Sequence, residues 1–477
     1  MNFIKRFLQV LGVAVMLLLA ILIFSLLQER HNLAFLSIEQ NDSFQQNSYL
    51  IKNVNIIPMS EDTLLRNQMI LIKEGVIAEI SQDIPAGDWT IIEGKGAYML
   101  PGLIDMHVHV WDEYELGLFL ANGVTAVRNL WGQPMHLRMK EAIHEEKIIG
   151  PLFFTSSPKL TGPVFIGDDN LQMKSPQQAA DKVKEYKLRG YDFIKTYNGL
   201  TKDIFDAIVK ESKVQELDIV AHPSSELPYE YHMETVAVTV EHAEDIVQQP
   251  LHYQLDTNKL NEVVAMFEDH PEVSFCPTLV VFYNIYRMLM DRSVLNSKQL
   301  IFMNPLIRRV DSKAQFDRWS QTKSTDATVV KRIKAQHDFH LLAINKLHKA
   351  GVKIVAGTDA GIGITPAGFS IHEELNFYKQ AGLSNFEVLK TATINASKTH
   401  DFLGKVGTVE VGKIANLVLV ENNPLENLNE LRKPSSVFIQ GRHLPQEVLI
   451  NFKNSAMERN NLIVSGLKYL EYLLVEK

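Results

Sequence analysis

Apolar positions fall into three textures along the chain. The first is one nearly unbroken run, "FLQVLGVAVMLLLAILIFSLL" (residues 7–27), in which only Gln9 and Ser25 are polar. About 20 apolar residues cross the hydrocarbon core of a bilayer as a helix, so the run predicts a membrane span within residues 1–30. Lys5 and Arg6 precede it. That asymmetry favours a cytoplasmic N-terminus and places the body on the far side, periplasmic or extracellular. No Ala-x-Ala-like site follows Ala20, so the expectation is an uncleaved anchor. A cleaved signal peptide and a secreted protein form the alternative.

The second texture is short Ile/Val-rich runs broken by turn residues. It occupies residues 48–100, after a polar stalk over residues 30–47, and returns at residues 403–448 in "GKVGTVEVGKIANLVLVENNPLENL…SSVFIQGRHL". This is strand and hairpin patterning. It predicts a small composite β-sandwich domain built from both flanking segments.

The third texture fills residues 101–402. Apolar runs "LIDMHV", "TAVRNL", "LFFTS", "DFIKTY", "DIVAH", "AVTVEH", "VSFCPTL" and "VKIVAGTD" alternate with helical stretches. One helix is signalled by Ser175 as N-cap with Pro176 behind it. Eight strands alternating with helices predict an α/β fold, a (β/α)8 TIM barrel. Between Leu279 and Gly351 the excursion before the eighth strand is far longer than usual. It predicts a helical insertion at about residues 280–350, lying as a lid over the barrel mouth. Residues 449–477 carry weak helical periodicity and read as a C-terminal tail.

Composition narrows the function. The chain of 477 residues is 46% hydrophobic and 22% charged, ordinary for a globular protein. A net charge of −8 offers no general basic surface, so nucleic acid is not an expected partner. The single cysteine, Cys276, excludes an intramolecular disulfide and a Cys-rich zinc site. A metal would need His or carboxylate ligands.

Those ligand types stand where a barrel puts its chemistry, at the C-terminal ends of strands. His107 and His109 end the first strand and share one face, being two residues apart. Lys195 ends the fourth, His222 the fifth, His242 the sixth and Asp359 the eighth. Each has a bland reading alone. His222 precedes Pro223 and suits a loop, His242 a helix start, Lys195 an ion pair, and Asp359 a turn before Ala360-Gly361. Together, on one rim, they are hard to explain by packing. Neutral imidazoles and a carboxylate are what a divalent ion takes.

The motifs "PGLIDMHVH", "FIKTY", "AH", "VEHA", "GTDAG" and "GLSNFEVLKTATINASKTHDFLGKVGTVEVGK" resemble the amidohydrolase superfamily over roughly residues 50–445. The branch is similar to the imidazolonepropionase-like and prolidase-like enzymes. The resemblance implies two divalent metal ions, zinc by expectation. His107, His109 and Asp359 would hold one, and His222 and His242 the other. A carboxylated Lys195 would bridge them, and Asp359 would be the acid/base. It implies hydrolysis of a C–N bond in an amide, a dipeptide or an N-acyl amino acid. A lactonase, a deaminase or a cyclic-imide hydrolase on the same metals is an alternative, and a non-catalytic binding protein a further one.

Two departures stand out. Prolidase-like relatives carry Gly-Gly-His after the third strand, where this chain has "SPKLTGPVFIGDDN". The usual "GKxADLVV" reads "GKIANLVLV", with Asn416 in place of Asp. Candidate substrate contacts are Arg128, as a carboxylate clamp, Tyr197 and Tyr231, with Tyr229 and His232 on the same loop. Arg128 has an equal reading as an ion pair inside the barrel. His337, His340 and His372 read as structural. A homo-oligomer is compatible with the sequence.

Overall fold

The computed structural model describes residues 2–41, 44–85, 87–165, 171–235 and 237–477. Residues 166–170, the end of the departing loop after the third strand, lie outside the described residues.

Both β-rich flanks join one eight-stranded mixed sheet. The seam is the antiparallel pairing of Leu417–Val420 with Tyr98–Pro101, Leu417 opposite Pro101 and Val420 opposite Tyr98. Strand pairing thus gives a single sheet, where the sequence suggests a sandwich of two. The reason is local. Tyr49–Ile56 pairs Thr90–Glu93 along its first half and Tyr98–Pro101 at its end, so the extra strand branches from the same sheet. Asn416 ties this sheet to the α/β body. Its Oδ1 accepts from Gln440 N (2.8 Å) and its Nδ2 donates to Thr125 O (3.3 Å).

Seven of the eight expected runs form parallel strands. Leu103–Val108, Val124–Asn129 and Leu152–Thr155 make one sheet. Phe193–Thr196, Asp218–Ala221, Ala237–Glu241 and Ser274–Cys276 make another, extended by the short pairs Leu160–Thr161 and Leu171–Gln172. Leu103–Val108 and Val124–Asn129 are buried throughout, as parallel strands covered on both faces must be.

The run "VKIVAGTD" does not form a regular strand. It makes isolated parallel bridges, Ile354 with Phe275 and Ala360 with Val108. Its hydrogen bonds go to both sides, Val355 N to Phe275 O (2.9 Å) and Asp359 N to His107 O (2.8 Å). A third bridge, Ser156 with Phe193, links the two parallel sheets. Regularity is lost because the segment turns sharply where it meets the histidines. Asp359 has φ 58°, and a Cβ on Gly357 would fall 2.4 Å from Cys276 Sγ and 2.8 Å from His107 Cβ.

The insertion is helical, with Leu279–Met290, Lys313–Thr325 and Val329–Lys349 as its main elements. Ser175 caps the Pro176–Arg189 helix as its sequence signals, accepting from Gln178 N at 3.2 Å. The tail is more ordered than its pattern suggests, forming Gln446–Glu458 and Leu462–Glu476. At the other end Asn2–Asn32 is one helix with its apolar side chains uncovered. Among the described residues it is the one helix long and apolar enough to cross a membrane.

Candidate metal centre

Four strand ends and the bridged eighth segment bring all six expected side chains to one cavity of about 820 Å³: His107, His109, Lys195, His222, His242 and Asp359. The ligand atoms of His107, His242 and Asp359 lie within 4.8 Å of one another. His109 Nε2 stands 2.7 Å from Asp359 Oδ1, and His107 Nε2 stands 3.3 Å from the same oxygen. The His222 and His242 ring centroids are 4.8 Å apart, as are those of His107 and His242. His242 has φ 70°. A bulky residue held in this left-handed region is over-determined by its surroundings, here His242 N donating to Cys276 O (2.8 Å).

Electrostatics keep these groups in a ligating state. Burial holds His109 below its ordinary pKa, and His222 and His242 well below theirs, so their rings stay neutral with a lone pair to offer. Burial alone would raise the Asp359 carboxyl, but His107 and His109 beside it hold it well below the usual carboxylate range. Lys195 is 1% exposed. Burial lowers its amine to about 8, and its Nζ has no hydrogen-bond partner among the described residues. His109 Nδ1 and His222 Nδ1 share that condition. Unpartnered buried polar atoms are costly. Several of them, converging with a carboxylate on one cavity, fit a cation better than they fit packing.

Behind the cavity lies a network that sequence reading missed. Glu241 accepts from His107 Nδ1 (2.7 Å) and from Arg128 Nη2 (2.8 Å). Burial raises the Glu241 carboxyl, and the Arg128 guanidinium and His107 overcome this and hold it well below its usual value. A carboxylate on the far nitrogen of a ligating histidine fixes its tautomer and ring orientation. Asp105 braces the eighth segment by accepting from Thr358 Oγ1 (2.7 Å) and Thr358 N (3.1 Å). His242 Nδ1 meets Thr278 Oγ1 at 2.8 Å. A charged residue inside the apolar run "AVTVEH" was the available signal for Glu241.

The substrate-contact expectations divide. Tyr197 lines the cavity and stacks on His222 with centroids 4.2 Å apart. Arg128 does not line it. It is fully buried and committed to Glu241, Met106 O (2.7 Å) and Thr239 Oγ1 (2.9 Å), which corrects the carboxylate-clamp reading in favour of the internal ion pair. Tyr231 is also displaced, its hydroxyl spent on Asp206 and Lys202 at the protein surface. Tyr229 is buried in the core, and His232 accepts from Ser224 N at 2.9 Å. His337 and His340 pack on Tyr283 and Phe282, and His372 is buried. Lys159, Trp111, Trp131 and Tyr469 line the cavity without having been singled out. The insertion lines it with Val281, Phe282, Leu306 and Val310, and with the polar Asp311, Gln315 and Arg318.

Arg128→Met tests the network. Removing one partner of a buried pair costs about 3–5 kcal/mol, because the other charge is left uncompensated. Thermal unfolding in detergent should show that loss, and adding Glu241→Gln should recover part of it. An unchanged midpoint for Arg128→Met would mean the pair contributes nothing.

Comparison with known proteins agrees with this geometry. The amidohydrolase family profile matches residues 98–444, and the chain belongs to that family. A dihydroorotase from Carboxydothermus hydrogenoformans is 48% identical over 63 residues, which is 13% of this chain and 14% of that enzyme. The chain therefore aligns with only a small part of that relative. Among solved structures, bottromycin amidohydrolase superposes with a TM-score of 0.71 at 23% identity, over 92% of this chain and 97% of the other. An Xaa-Pro dipeptidase superposes with a TM-score of 0.63 at 19% identity, over 83% and 100%. These share the fold.

Proposed function

We propose that the protein is a membrane-anchored, binuclear metal-dependent hydrolase of C–N bonds, acting on a dipeptide or an N-acyl amino acid. The observation that carries this reading is the meeting of four histidines, Lys195 and Asp359 in one cavity. In this reading the seven parallel strands and the bridged segment 354–360 close into a (β/α)8 barrel, which the three isolated bridges support. His107, His109 and Asp359 would hold one ion, His222 and His242 the other, and Lys195, carboxylated on its amine, both. Zinc suits such a set of imidazole and carboxylate donors. The exposed apolar helix and the Lys5-Arg6 pair support an anchor with the body outside the cytoplasm.

When bound, the ions supply Lewis acidity to water and to the substrate carbonyl. The protein's own groups do the rest. Water adds to the carbonyl carbon, an O–C bond forms, and the C–N bond breaks. Asp359 takes the proton from that water and returns it to the departing nitrogen, so the amine leaves neutral. Glu241 holds the His107 ring in place through Nδ1. Tyr197, stacked on His222, shapes the cavity floor. The insertion side of the cavity, mostly apolar, limits the access of bulk water to the reacting groups.

The test is a panel of Xaa-Pro and Xaa-Arg dipeptides and N-acyl amino acids with the full chain. Amine release should stop on chelation and return with zinc. No release from any member with the metal-loaded protein overturns the reading, and ammonia released from an amino heterocycle instead would replace it with the deaminase.

A further inference from the structure

The C-terminal helix Leu462–Glu476 carries apolar side chains on its outward face as well as toward the core. The side chains it turns inward are mixed: Val464 and Tyr472 are buried beside polar groups that recur at positions 461, 465, 468 and 476 on one helical face. Asn461 donates to Asp112 Oδ2 and to Glu29 Oε1, both at 3.0 Å. Ser465 Oγ lies 2.9 Å from Asn304 Nδ2, and Lys468 Nζ pairs with Glu113 at 2.5 Å. Glu476 accepts from Arg189 Nη2 at 2.5 Å. The opposite face carries Ile463, Leu467, Leu470 and Leu474, spaced i, i+4, i+7, i+11. Of these, Ile463, Leu470 and Leu474 are 43%, 48% and 77% exposed. A helix on a water-facing surface shows the opposite arrangement, and a contiguous apolar stripe of this kind marks an interaction surface.

Its neighbour says what covers it. Asn461 is bonded to Glu29, which is buried, whereas the side chains at Phe24, Leu26 and Leu27 just before it are uncovered. The stripe therefore begins where the chain leaves its apolar helix. The insertion segment Pro305–Ile307, which contacts this helix, leads into a groove of about 720 Å³ lined by Lys298, Arg308, Arg309 and Lys313 together with Ile301 and Met457. Cations bordering exposed apolar side chains are the signature of a surface seated among anionic headgroups.

The same helix reaches the candidate metal centre. Tyr469 lines its cavity, and Tyr472 packs edge-on against Trp131 at 5.7 Å between centroids. Asp112 and Glu113, which bind this helix, follow His109 by three and four residues. The helix that carries the stripe thus also contributes to the cavity, whose insertion side is mostly apolar, with Asp311, Gln315 and Arg318 among its lining.

We propose that the Ile463–Leu474 stripe lies in the bilayer interface beside the N-terminal helix, and that the cavity draws from it an amphiphilic substrate, an amide carrying a long acyl or alkyl chain. The substrate part rests on the hydrolase reading above, whereas the docking part rests only on its membrane anchor.

The experiment uses the full chain in phosphatidylcholine–phosphatidylglycerol vesicles. Cys276 is completely buried, so Leu470→Cys and Val411→Cys can each be labelled singly with a fluorophore. Val411 is 62% exposed on the mixed-sheet side. Brominated lipid should quench the Leu470→Cys label several-fold more than the Val411→Cys label. Equal quenching overturns the docking, including the case in which a second copy of the chain covers the stripe. In the same vesicles, kcat/KM for N-acyl amino acids should rise by at least about two orders of magnitude from acetyl to palmitoyl, the effect of burying only about three or four of the added methylenes. Leu470→Glu with Leu474→Glu should remove that rise and leave the acetyl rate unchanged. A flat chain-length series overturns the substrate class. Cleavage of no amide at any length overturns the hydrolase reading and the substrate class with it, while the quenching still decides the docking.

Discussion

Asp359→Asn is expected to lower kcat by about 10²–10⁴-fold, the contribution of a positioned proton carrier, with KM changed far less. The side chain keeps its size and its oxygen toward His109, so the loss reports the proton rather than the packing. In the native protein that oxygen lies 2.7 Å from His109 Nε2, and the paired histidines keep the carboxyl ionised despite its burial. An amide at this place cannot take a proton from water or return one to nitrogen. Steady-state kinetics on the best substrate of the panel, with zinc content measured alongside, gives the result. Activity should fall by a much larger factor than metal content. If the two fall in proportion, Asp359 acts as a ligand alone and another group must move the proton.

The residues that meet in this cavity are legible because the end of an apolar run is local in sequence. Each candidate follows an apolar run, and a run ending in His, Lys or Asp can be recognised without knowing its neighbours. His107 and His109 needed only the two-residue period of a strand. What was not legible depends on which strands become neighbours. Glu241 and Arg128 stand on strands separated by more than one hundred residues, and their ion pair exists only once the sheet is assembled. That assignment turns Arg128 from a substrate clamp into a positioning residue. Tyr231 was misplaced because a loop sequence does not say which way it folds, and here it turns away to Asp206. The eighth run looks like any other strand, but it forms only isolated bridges, and Gly357 stands where a side chain would collide with His107 and Cys276. The C-terminal helix was read as a weak tail for a physical reason. Its inward face mixes buried Val464 and Tyr472 with hydrogen-bonded Asn461, Ser465 and Glu476 while its outward face is apolar, so no single apolar stripe stands out in the sequence.

Lys195→Ala separates the bridging reading from an ordinary ion pair. In the protein the Lys195 amine is buried, partly deprotonated by that burial, and without a hydrogen-bond partner among the described residues. An ammonium there would repel a cation, whereas a neutral amine can add carbon dioxide and become an anionic oxygen donor. Elemental analysis should give two metals per chain for the native protein and about one for Lys195→Ala. Activity should fall by more than about 10²-fold, the upper range seen when even an outer partner of a metal ligand is removed. Short carboxylic acids added to Lys195→Ala should restore part of both, because they supply a bridging carboxylate in the space the side chain leaves. Lys195→Arg should stay inactive with or without the acid, since a guanidinium remains cationic and forms no carbamate. The two variants together distinguish loss of the bridge from loss of a positive charge: an ion-pair lysine would be replaced well by arginine and poorly by alanine with acid. Two metals retained in Lys195→Ala with activity intact would return Lys195 to that role, and the remaining histidines with Asp359 would then have to hold both ions unaided.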